Sequence, residues 1–182
     1  MSKTEKPSKE HKLFAETVIE IFSPTFDQFE FKKHKTKVEK YSTTITFRKE
    51  NQYVTISGST YPTDYPYCYN VILGDGDSED FCEYDWNSIA LWRIKTQLDP
   101  KSKSSEYEFP FEKAVKYSLE NANQELKKYG LEFLNGNLEL FKEVRKEQNK
   151  SREPYKIHTP DKNGKYKTTN EPKSVEQKKK YS

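Results

Sequence analysis

The spacing of the hydrophobic residues changes twice along the chain, and that change constrains the fold more than any single motif. In "KEHKLFAETVIEIF" (9–22), Phe14, Val18, Ile21 and Phe22 recur at helical spacing, with Ala15 and Ile19 beside them. Ser23–Pro24 reads as the stop, because proline lacks the amide hydrogen that a helix interior needs. The period then falls to two. Phe29 and Phe31 alternate with Gln28 and Glu30, and Tyr41, Thr43, Ile45 and Phe47 share one face of "KYSTTITFRK". A turn at Lys49–Asn51 leads into "NQYVTISGS", and "YCYNVILG" (67–74) is apolar on both faces, as a central strand is. Residues 88–95 fit a short strand or a short helix equally well.

Helical spacing returns after Pro110. Phe111, Val115, Leu119, Ala122, Leu126 and Tyr129 make one stripe that ends at Gly130. "LEFLNG" turns, and "NLELFKEVRKEQNK" sets Leu138, Phe141 and Val144 inward with Asn137 as N-cap. One helix, four to five mostly sequential strands and two helices give a single α+β domain over residues 9–150. Its mostly antiparallel sheet is covered by the N-terminal helix and the two C-terminal helices. From 151 to 182 periodicity is lost and Pro, Lys, Asn and Thr accumulate, which predicts a basic, flexible or extended tail. Tyr155 and Ile157 are its candidate anchors, and truncation near residue 158 is expected to leave the domain folded.

Composition supports a real core despite a mean hydropathy of −1.12. Thirteen Tyr and eleven Phe are available, and each buried ring removes about 150–250 Å² from water. Charge is unevenly distributed. Residues 150–182 hold ten Lys and Arg against four Asp and Glu, so with a whole-chain net charge of +3 the first 149 residues carry −3. A basic isoelectric point that arises from a tail does not by itself make a nucleic-acid-binding domain.

Two cysteines, Cys68 and Cys82, cannot staple a disulfide scaffold, and three scattered histidines offer no zinc spacing. No apolar run approaches eighteen residues and the first residues lack a signal-peptide core, so a cytoplasmic protein without membrane contact is expected. Neither a nucleophile elbow nor a phosphate-cradling glycine loop is present. No enzyme activity and no cofactor are expected.

The densest chemistry lies in "DGDSEDFCEYDW" (75–86), six carboxylates in twelve positions ending on tryptophan. A calcium loop of the EF-hand type needs Gly at position 6 and Glu at position 12; counted from Asp75 those are Asp80 and Trp86. Catalytic carboxylates need a desolvated cleft that separates their pKa values, which a charged hairpin tip does not provide. The plain alternative for any charge run is a solvated loop. Aromatics interleaved with acids favour a contact surface: Asp75, Asp77, Glu79, Asp80, Glu83 and Asp85 would steer a basic partner, with Tyr84 and Trp86 as anchors. The same rings fit the inward side of a strand, and a tryptophan such as Trp86 or Trp92 is more often core than function. Tyr61, Tyr65, Tyr67 and Tyr69 lie just upstream.

Two further features bear on nucleic acid. "KKHKTKVEK" (32–40) puts Lys33, Lys35 and Lys37 on one strand face, to hold phosphate or to blunt an exposed edge. Glu30 and Lys32 on a strand, with Asp27 or an acid of the first helix as second metal ligand, would be the elements of a metal-dependent nuclease, and Lys178–Lys180 would allow the tail to touch a phosphate backbone. A nucleic-acid-associated protein or nuclease is thus the alternative to a protein-binding module.

Over residues 10–157, and chiefly in "YPYCYNVILGDGDSEDFCEYDWNSIALWRI" and "LEFLNGNLELFKEVRKEQNKSREPYKI", the chain resembles small bacterial proteins similar to the immunity proteins of polymorphic toxin systems. That resemblance implies a cytosolic single α+β domain without catalytic motifs, which binds and blocks a toxin, frequently through an acidic face when the toxin is a basic nuclease. It assigns no individual residue.

Overall fold

The computed structural model describes residues 6–76, 86–102, 105–160 and 164–182. It is an α+β protein. Helix α1 (Lys9–Gln28) starts at Ser8, whose hydroxyl accepts from the His11 amide at 3.2 Å. Pro24 lies inside this helix rather than ending it. The reason is energetic: Phe22 and Phe26 flank the proline and both are buried. Burying an aromatic ring is worth about 1.5–3 kcal/mol, and two of them match the roughly 3 kcal/mol that an interior proline costs. Asn123 Nδ2 also donates to the Ile21 carbonyl at 3.2 Å, beside the Glu20 carbonyl that loses its usual partner to Pro24. Gln28 therefore closes the helix, and the strand expected from residue 28 begins at Lys32.

The main sheet comprises β1 (Lys32–Val38), β2 (Ser42–Lys49), β3 (Gln52–Ser59), β4 (Cys68–Asp75) and β5 (Ser88–Ala90), antiparallel and in that order. A two-residue strand, β6 (Tyr107–Glu108), joins the β4 edge next to β5. Residues 88–95 are both strand and helix, since β5 runs straight into α2 (Leu91–Leu98). The hairpin turn at Glu50 is where the spacing put it, and register pairs Ile45 with Ile56 and Phe47 with Val54.

Helices α1, α2, α3 (Ala114–Tyr129) and α5 (Glu139–Lys150) gather on the sheet face that carries Ile45, Phe47, Val54, Ile56, Val71 and Leu73. Phe26 stacks on Phe47 with centroids 4.2 Å apart, and Phe14 on Phe109 at 4.9 Å. The stripe of α3 is buried at Val115, Leu119, Ala122 and Leu126. Phe111 is exposed, because the helix starts only at Ala114. Gly130 ends α3, the "LEFLNG" turn forms a single helical turn, α4 (Leu131–Leu134), and Asn137 Oδ1 accepts from the Glu139 amide at 3.1 Å to start α5.

The C-terminal segment corrects the flexible or extended tail. It folds as a hairpin, β7 (Lys156–Pro160) with β8 (Tyr166–Asn170), followed by helix α6 (Pro172–Tyr181) packed on α5. Pro172 sits in the first turn and the Glu171 carboxylate accepts from the Ser174 amide at 2.6 Å. Periodicity could not reveal this helix, because it docks through hydrogen bonds and cation–ring contacts rather than an apolar stripe. Among the described residues no helix is long and apolar enough to cross a membrane.

His11 is fully buried near the start of α1, with Nδ1 2.8 Å from Thr43 Oγ1 and Nε2 2.9 Å from Thr60 Oγ1. Burial disfavours the imidazolium and holds its pKa below the ordinary 6.5. The unfolded chain therefore takes up this proton first as pH falls. Stability from His11 is complete above pH 6.5 and declines from there down to the folded pKa. The melting-temperature gap between wild type and His11→Gln should accordingly narrow between pH 7.5 and 5. A constant gap would show that the ring is not held neutral.

Candidate functional site

The acidic stretch is bounded by the end of β4 and the start of β5, which are hydrogen-bonded neighbours through the Gly74–Ser88 pair. Of its eight candidate residues, Asp75 and Trp86 are described; Asp77, Glu79, Asp80, Glu83, Tyr84 and Asp85 lie outside the described residues. The two described ends show how the segment is held.

At the outgoing end, the Asp75 amide donates to the Asn87 carbonyl at 3.3 Å, and Asn87 Nδ2 returns a bond to the Asp75 carbonyl at 2.8 Å. Gly76 then adopts φ +112°, a left-handed backbone angle suited to glycine. Its amide donates to the Asn51 carbonyl at 2.7 Å, and its carbonyl accepts from both terminal nitrogens of Arg48 at 3.1 Å. Gly74 serves a different need. The Tyr53 ring lies across it, so close that a Cβ there would stand 2.1 Å from Cζ, and the Tyr53 hydroxyl continues to Asn87 Oδ1 at 3.2 Å.

Beneath this junction sits Arg145 of α5, 7% exposed. Its Nη1 pairs with the Asp75 carboxylate, and its guanidinium lies between the rings of Phe141 (4.9 Å) and Tyr181 (4.7 Å). Asp75 is consequently turned toward the protein and serves as an anchor of the segment rather than a steering charge.

At the incoming end, Trp86 is 1% exposed, which corrects its reading as a surface anchor. Its Nε1 donates to Ser174 Oγ of α6 at 3.1 Å, and Arg152 and Lys178 stand over its ring at 4.6 and 5.9 Å. Asn149 Nδ2 bridges the Trp86 carbonyl (2.8 Å) and the Tyr181 carbonyl (2.9 Å). The indole was drawn inward because α6, which the spacing did not reveal, supplies both its hydrogen-bond partner and its cover. Arg145, Asn149, Ser174 and Tyr181 were all missed. The one available signal was that Arg145 and Asn149 follow Phe141 at four-residue intervals, which places polar groups on the apolar face of α5.

The upstream tyrosines lie away from the point where the segment leaves β4. They stand before or at the start of β4, while the acidic stretch leaves its far end, about 23 Å away at 3.3 Å per residue. Tyr69 belongs to the core, and Tyr61 and Tyr65 are exposed at that distant end.

The Lys-rich strand is β1, the outer edge of the sheet, and every residue from Lys32 to Lys37 is exposed. Lys32 pairs with Asp27 at 3.1 Å and Lys37 with Glu39 at 3.0 Å. Lysines along an open edge oppose pairing with another strand. The nuclease pattern is not assembled on a strand: Glu30 occupies the turn before β1 with φ 66° and pairs with Lys49 at 3.2 Å. Among the described residues no cluster of three His, Cys, Asp or Glu is placed to hold a metal ion.

The thiol of Cys68 donates to Glu106 Oε2 at 2.9 Å, and burial together with that carboxylate pushes its pKa up to about 12. It stays protonated at neutral pH and is a poor nucleophile. Cys82 lies outside the described residues. Tyr107, pushed up by burial and by its 2.7 Å bond to Glu125, belongs with the Lys95–Glu125 pair at 2.6 Å in a network joining β6, α2 and α3. Together these contacts tie helices to the sheet. The chain matches no family model, no curated protein and no solved structure, so the site is defined by its own geometry.

Proposed function

We propose that the protein is a non-enzymatic binding module, a cytoplasmic immunity protein that neutralises a basic toxin domain. Asp77, Glu79, Asp80, Glu83 and Asp85 steer the partner and Tyr84 anchors it. The observation that supports this reading is the double clamp at Asp75 and Trp86. The chain enters and leaves the acidic segment at two neighbouring points, each fastened to α5 or α6. A firmly held base limits the entropy lost when a binding segment meets its partner. Five like charges in nine residues also raise the encounter rate with a cationic surface.

Reversing charge with Asp77→Lys, Glu79→Lys and Asp80→Lys should slow association with the cognate toxin by roughly tenfold or more at low salt, with a smaller effect as salt rises. The melting transition should stay in place, since neither described clamp residue is changed. The measurement is stopped-flow or surface-plasmon kinetics at two salt concentrations, with the partner taken from a pull-down in the native cell. Association that ignores the reversal at low salt would dismiss the steering role.

A further inference from the structure

The β7–β8 hairpin projects from the domain as an exposed ribbon. All five residues of each strand are exposed, so neither face is buried among the described residues. A two-stranded hairpin is marginal by itself, but this one is fastened at its base. The Glu171 amide donates to the Tyr155 carbonyl at 2.7 Å and the Tyr155 amide to Ser174 Oγ at 3.0 Å, the same hydroxyl that accepts from Trp86. The hairpin's described residues include three exposed lysines, Lys156, Lys165 and Lys167.

The register places two of these lysines, Lys156 and Lys167, on opposite faces. Lys156 shares a face with His158 and Thr168; Lys167, opposite Thr159, shares the other with Ile157 and Thr169. Among the ribbon's described residues the exposed apolar side chains are Ile157, Pro160, Tyr166 and the neighbouring Tyr155, too little for a dry protein interface. A flat acidic protein surface would neutralise one face of such a ribbon. A groove with phosphates on both walls would neutralise two.

We propose that this ribbon is a nucleic-acid-binding arm that enters the groove of a duplex and contacts its phosphates without reading sequence. Five paired residues span about 17 Å at 3.3–3.4 Å per residue, and the major groove of B-DNA, about 12 Å wide, admits a two-stranded ribbon. The Thr169 and Tyr166 hydroxyls add donors for phosphate oxygens, while those of Thr159 and Thr168 bond within the hairpin. The arm and the acidic segment share the Ser174 anchor but no charged residue, so either assignment can fail while the other holds.

The test is fluorescence anisotropy of the full chain with a mixed-sequence DNA duplex of about twenty base pairs at 50 and 200 mM salt. Some three neutralised phosphates give a slope of about −2.7 in log affinity against log salt, a loss of roughly fortyfold between the two conditions. K156E/K165E/K167E should weaken binding at 50 mM more than tenfold and leave melting unchanged, because all three positions are exposed. If that reversal disturbs the fold, K156Q/K165Q/K167Q is read in its place and should weaken binding in the same direction. Absence of binding by the wild type at 50 mM, or binding that survives the substitutions, overturns the proposal. So does a wild type that self-associates in sedimentation velocity and loses only that property in the variant, since the ribbon would then meet the acidic segment of a second copy.

Discussion

Removing the chain after residue 158 should leave a protein that still melts cooperatively but does so about 5–15 °C lower. The truncation deletes α6 and with it Ser174, the hydrogen-bond partner of a buried indole, and Tyr181, whose ring and carbonyl contact Arg145 and Asn149. Uncovering part of Trp86 costs about 25 cal/mol for each Å² returned to water. An indole N–H and a carboxamide that lose partners add about 1–3 kcal/mol more. A total near 2–4 kcal/mol corresponds to that temperature shift, because 1 kcal/mol moves the melting point by about 2–4 °C in a chain of this size. Thermal denaturation by circular dichroism, with tryptophan emission followed in parallel, is the measurement. Emission should also shift to the red as Trp86 meets water. An unchanged melting point would return the segment to the flexible tail that its composition suggested.

The second large effect is expected at Arg145. Arg145→Ala removes the partner of a largely buried carboxylate and the cation held between two rings, and should destabilise by about 3 kcal/mol, at the low end for a buried pair because Asp75 retains some contact with water. Asp75→Asn alone should cost less, since an amide can stay in place without a counter-charge. The double variant should be more stable than the sum of the single effects implies, by about 1–2 kcal/mol, as coupled neighbours are. Chemical denaturation of the four proteins gives this cycle directly. Strict additivity would mean that the pair contributes nothing beyond its separate packing. Because Asp75 begins the acidic segment, Arg145→Ala should also slow partner association while every proposed steering charge is retained.

Much of the fold was legible in the residues. The alternation of Tyr41, Thr43, Ile45 and Phe47 placed one face of β2 correctly, the apolar run from Tyr69 to Leu73 marked a central strand, and Val115, Leu119, Ala122 and Leu126 defined the inward side of α3. Such patterns are local consequences of burying one face of a regular element, and for that reason they can be read from spacing. The errors have a common origin. Pro24 looked like a helix stop because its local cost is visible in the sequence, whereas the compensating burial of Phe22 and Phe26 is set by the sheet beneath them.

The acidic segment divides along the same line. Its charge density, and its position between two strands or a strand and a helix, were determined by sequence. The separate fates of its ends were not: Asp75 turns in toward Arg145, seventy residues away, and Trp86 is buried against Ser174, eighty-eight residues away. By itself, then, the sequence determined the α+β class, the central strands, the long helices and the concentration of acids, all of which depend on neighbours within a turn or a strand. Only the tertiary structure decided which acid is an anchor, which aromatic is core, and that a basic, aperiodic terminus folds into a ribbon and a helix. Those outcomes depend on polar contacts between distant residues, and such contacts leave no period in the chain.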